Sequence, residues 1–113
     1  MSRTPIPRAI PWQRMTYIAT VAQNSDHSYV AECTHYVNTF NPKIIHEGVR
    51  VNVRFSLPDN PLYNVDQIVC IRRRGGSLGV ACTRPAHELG LQPGDLIGVE
   101  FTDIINDNED RRR

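Results

Sequence analysis

Between Val49 and Leu57, apolar and polar positions alternate without a break. Val49, Val51, Val53, Phe55 and Leu57 share one face, while Arg50, Asn52, Arg54 and Ser56 share the other. A period of two is the pattern of a β-strand with one face buried and one wet. Pro58-Asp59-Asn60-Pro61 closes this strand, and Gln67 to Arg73 reads as the next. Upstream, Tyr17 to Val21 and Ser28 to Ala31 are short β-prone runs separated by a turn signal, Asn24-Ser25-Asp26. Downstream, Pro85 to Leu89 suits a turn or so of helix, with Gly90 placed to end it. Leu96 to Phe101 is the last strand.

These elements predict a mostly β chain. Residues 1–14, with three prolines and no hydrophobic period up to Gln13, form an extended arm. Residues 15–65 supply several strands with little helix, which suggests a small β-barrel-like lobe. Residues 66–105 form a β unit with one short helix, and 106–113 a charged tail. The run from His46 to Phe55, with Asn64 to Val69 after a loop, resembles the last two strands of a cold-shock or other OB-type barrel. Tyr17, Tyr29, Tyr36 and Phe40 are the aromatics available for base stacking on such a barrel, and core positions are the competing role for them.

The densest chemistry lies at Arg72-Arg73-Arg74-Gly75-Gly76-Ser77-Leu78-Gly79-Val80, followed by Leu89-Gly90-Leu91-Gln92-Pro93-Gly94-Asp95. Three consecutive cations end a strand immediately before a glycine-rich turn. Arginine's planar fork donates two parallel hydrogen bonds, which suits phosphates and base edges. A short charge run is equally well explained as a solvated strand end. The run from Asp66 to Asp103 resembles the AbrB-like swapped-hairpin family of bacterial and archaeal DNA-binding regulators and antitoxins. That resemblance implies a homodimer built by exchanging strands, around Ile68 to Ile71 and Leu96 to Phe101, and docked on duplex DNA. Arg72, Arg73, Arg74 and Arg84 are then the candidate contacts, with Arg50 and Arg54 as a second tier. Gly75, Gly76 and Gly79 would let the backbone turn tightly and approach the duplex. The same glycine-rich run also resembles a PDZ carboxylate loop, but about ten residues before the later turn are too few for that fold.

Charge sharpens this reading. The net charge of the 113 residues is +1, yet the chain up to Arg84 carries +5 and the remainder −4. Twelve of the thirteen cations are arginine, which favours bidentate recognition of anions over solubility alone. The acidic carboxyl-terminal part should point away from DNA or hold a basic protein partner. This leaves two competing functions: a protein-interaction adaptor or inhibitor, and a binder of single-stranded nucleic acid such as RNA.

Other chemistry finds little support. Cys33, Cys70 and Cys82 are odd in number and widely spaced, so no disulfide framework is expected and a reducing cytoplasm is the simplest setting. No apolar run approaches a membrane span. Cys33-Thr34-His35 would put a thiol and an imidazole on one strand face, but no second ligand pair completes a metal site. The glycines at 75, 76 and 79 open no long helix for a nucleotide phosphate. No enzyme activity, cofactor or metal is expected.

Overall fold

The structure, a computed structural model, describes residues 2–6 and 16–106. Along the chain come β1 (Ser2–Pro5), β2 (Tyr17–Gln23), β3 (Tyr29–Glu32), α1 (Thr34–Val37), β4 (Arg50–Leu57) and β5 (Asn60–Cys70). They are followed by β6 (Arg72–Arg74), β7 (Ser77–Ala81), α2 (Thr83–Leu89) and β8 (Leu96–Asn106). The protein is mostly β, as the alternation predicts. The first part of the expected arm is itself a strand, because β1 pairs antiparallel with the end of β8. The rest of the arm, 7–14, with Met15 after it, and the tail from 107 lie outside the described residues.

Among the described residues every strand pair is antiparallel, in the order β5-β4-β8-β2-β3-β7-β6, with β1 added beside β8. The two end strands, β5 and β6, are separated in sequence only by Ile71. The order therefore returns to its start, and the sheet curls into a small barrel. At the join, Gly48 N donates to Ile71 O (2.7 Å) and Ile71 N donates to Val49 O (2.9 Å). Two residues face one, with Gly48 at φ +95°, which is a bulge that requires glycine in its first position. The run 60–74 continues past this join, its first part paired with β4 and its last part with β7.

The core fills this curl. Val51, Val53 and Phe55 of β4 are fully buried, and across β8 they meet Ile104, Phe101 and Val99. Val21, Ala31, Val80 and Ile97 complete the wall. α1 and the loop after it bring Tyr36, Val37, Phe40 and Ile45 into the core. The Tyr36 ring meets Phe40 and Phe101 edge-on at 5.1 and 4.9 Å and stacks on Tyr17 at 5.2 Å. Each fully buried side chain of this size contributes about 1.5–3 kcal/mol. Strands from 15–65 and from 66–105 share one sheet, with β8 between β4 and β2 and with β7 beside β3. Both edges of β8 are paired by β4 and β2 of the same chain, and its Ile97, Val99 and Phe101 are buried within that chain.

Several details depart from the sequence reading. Asn52, placed on the wet face by alternation, is only 2% exposed. Cys33 and His35 do not share a strand face, since Cys33 is buried just before α1 and His35 is exposed within it. A strand position beside Ile68 and Ile71 predicts a buried Cys70, yet it lies opposite Arg50 and is half-buried, whereas Cys82, predicted to be buried with Val80, is so. β5 begins at Asn60 rather than Gln67, and β8 runs on to Asn106. α2 begins two residues before Pro85 and ends as predicted, with Gly90 left-handed at φ 66° and Leu91 N donating to Ala86 O. It returns beside β5, where Tyr63 OH donates to Glu88 Oε1 at 3.1 Å. Among the described residues, no helix is long and apolar enough to cross a membrane.

Candidate nucleic-acid interface

The arginine run forms β6, paired with β7 in the register Arg72 to Gly79, Arg73 to Leu78 and Arg74 to Ser77. Gly75 and Gly76 are the two-residue loop between them. Gly75 has φ 62°, the left-handed conformation that tight hairpin turns demand. All three arginines are exposed. Successive residues on a strand point to opposite sides, so Arg72 and Arg74 share one side of the ribbon and Arg73 takes the other.

Their partners differ. Arg73 Nε donates to Glu47 Oε1 at 2.9 Å, and both side chains remain about half exposed. Arg74 Nε donates to Asn24 Oδ1 at 2.7 Å, and its Nη2 reaches Gln23 O at 3.5 Å. Those acceptors are neutral, so Arg74 keeps its full charge. Arg72 makes no side-chain hydrogen bond or ion pair among the described residues. Among the described residues, the cations of the run without a carboxylate partner are therefore Arg72 and Arg74, on the same side.

Arg54 and Arg84 come together elsewhere, around an open hollow that they line with Asn64, Val65 and Asp66. Arg54 donates from Nε to Asp66 Oδ1 (3.0 Å) and from Nη2 to Oδ2 (3.5 Å). That hydrogen bond, reinforced by the charge of Asp66, raises the Arg54 pKa above its ordinary value. Arg84 Nε lies 3.4 Å from Glu88 Oε2 one helical turn on. Both cations are neutralised locally. Arg50, opposite Cys70, stands at the β6 end of β4 and is half-buried.

The glycines divide as well. Gly75 and Gly76 make the turn, and a Cβ at either would meet nothing within 4 Å. Gly79 is inside β7, where a Cβ would lie 2.4 Å from Val30 Cγ2 and 3.2 Å from Ala31 O. Its lack of a side chain lets β3 and β7 pack, and it does not reach the outer surface. No family model matches the chain, and no curated protein or solved structure matches it. The site therefore rests on its own geometry.

Two residues central to that geometry, Asn24 and Glu47, do not stand out in the sequence. Asn24 carries only a turn signal, and Glu47 none. The aromatic candidates for base stacking take other places: Tyr36 and Phe40 are buried, Tyr17 stacks on Tyr36, and Tyr29 meets His87 edge-on at 5.6 Å. Among the described residues, no three His, Cys, Asp or Glu side chains gather as a metal site.

Proposed function

We propose that the protein binds duplex DNA through the β6–β7 hairpin, as a transcriptional regulator or antitoxin-type protein of the kind its AbrB-like run resembles. The observation that carries this is the pair Arg72 and Arg74, two cations with no carboxylate partner among the described residues, on one side of an exposed ribbon. A two-stranded ribbon fits the major groove, and arginine is its commonest specific reader there. The exposed pair of Arg73 with Glu47 opposes this only weakly, because such pairs are worth about 0–1 kcal/mol and a phosphate can replace the carboxylate. Stacking on single strands has less support, since the aromatics expected to serve it are engaged within the protein.

The test is a salt titration of binding to a duplex. Taking one arginine away from a phosphate should reduce the slope of log affinity against log salt by about 0.9. Arg72→Ala should lower it by about that amount for a single chain on DNA, and by about twice as much for a two-fold pair. Arg54→Ala, whose charge Asp66 already cancels, should leave the slope unchanged. Absence of duplex binding by the parent protein at low salt, or equal effects of the two variants, would overturn the proposal.

A further inference from the structure

At the end of β4 away from β6 the surface changes character. A hollow of about 420 Å³ is lined by Leu57, Pro58, Leu91 and Leu96, with Asp59 and Asp95 beside them. Leu96 is 52% exposed, and so is much of Ile18, at 45%. The two are diagonal neighbours on one sheet face, because Leu96 pairs with Thr20 and Gly98 with Ile18. Gly98 keeps the surface low beside Ile18, since a Cβ there would lie 2.2 Å from Ser56 Oγ. Leu62, on the hairpin that Pro58 and Asp59 turn, is 92% exposed. Single exposed leucines are ordinary, but grouped apolar side chains with a polar rim mark an interaction site.

We propose that this end of the barrel docks a basic segment of a partner protein carrying an apolar anchor. Charge selects the occupant. Both ionisable residues of the lining are carboxylates, and both are exposed. Asp95 Oδ2 already accepts from Gln92 N at 2.8 Å, which fixes the carboxylate in place. A two-fold contact with a second copy would bring these carboxylates against each other, whereas arginine or lysine flanking a leucine would meet them. Arg72 is not among the residues that line this hollow.

A fluorescein-labelled peptide of alternating arginine and leucine, titrated with the full chain, tests this by anisotropy. Binding should saturate. It should weaken about tenfold or more for Leu96→Arg, for Asp59→Lys, and for a peptide with serine in place of leucine. Arg72→Ala should bind the peptide as the parent does. If the variants fail to fold, amide shift changes in the parent protein decide instead, and they should centre on Leu57, Leu91 and Leu96. Equal binding of the serine peptide, or shifts elsewhere, would overturn the proposal. So would self-association of the protein alone that Leu96→Arg abolishes, because the occupant would then be a second copy.

Discussion

Asn52 Nδ2 donates to Thr102 Oγ1 at 2.7 Å, and Thr102 Oγ1 in turn donates to the Asn52 carbonyl at 3.3 Å. The two residues sit where β4 and β8 slip register: Asn52 pairs with Asp103 and Val53 with Phe101, leaving Thr102 as the extra residue. One hydroxyl thus serves both the side-chain amide and the main-chain carbonyl of Asn52 at the bulge. Asn52→Ala should cost about 1–3 kcal/mol, because it strands buried polar groups. Arg54→Ala, two residues on, removes only an exposed ion pair and should cost less than about 1 kcal/mol. Urea unfolding of both variants checks the contrast, and similar costs would show that Asn52 is not specially held.

The glycines of the hairpin should separate packing from turn formation. Gly79→Ala forces a methyl group against Val30 and should destabilise by about 1–3 kcal/mol. Gly76→Ala meets open space, at a position without positive φ, and should be neutral or stabilising by up to about 1 kcal/mol. Thermal melting of the two variants gives the comparison.

The buried thiols make the protein sensitive to alkali. Burial pushes the Cys33 thiol from 9.0 to about 12, with the Glu32 carboxylate adding to the rise. Burial alone does the same to Cys82, again to about 12. An acid whose folded value is raised favours the folded state fully below its unfolded value, and that contribution fades as pH climbs toward the folded one. Stability should therefore fall between about pH 9 and pH 12, and Cys33→Ala with Cys82→Ala should flatten the decline. In the native protein at neutral pH, a thiol reagent should label Cys70 first. Labelling of Cys33 and Cys82 should wait for unfolding. Mass spectrometry of the labelled sites follows the order.

Removing the carboxylate that holds Arg73 should strengthen the proposed binding to a duplex. With Glu47→Gln, a third cation of the run becomes uncompensated, and the slope of log affinity against log salt should steepen by up to about 0.9 for each chain bound. An unchanged slope would mean that Arg73, on the opposite side of the ribbon from Arg72 and Arg74, does not reach the DNA.

What the sequence determined by itself is local. The alternation of β4, the turns at Asn24 to Asp26 and Gly75-Gly76, and the stop of α2 at Gly90 each depend on residues a few positions apart. Local backbone preferences and side-chain periodicity are enough to specify them. The tertiary structure decided what depends on register between distant strands. Alternation put Asn52 outside, and only the slip against Thr102, fifty residues away, buries it. Three adjacent arginines read alike in sequence, yet Arg73 meets Glu47 from 26 residues away, Arg74 meets Asn24 from 50, and Arg72 stays free among the described residues. The join at Ile71 brings both halves of the chain round one core, because the run from Gln67 to Arg73, which sequence alone reads as one strand, changes partner there from β4 to β7. Side-chain character is written along the chain, but its neighbours across the sheet are set by twist, bulges and closure, which no local pattern encodes.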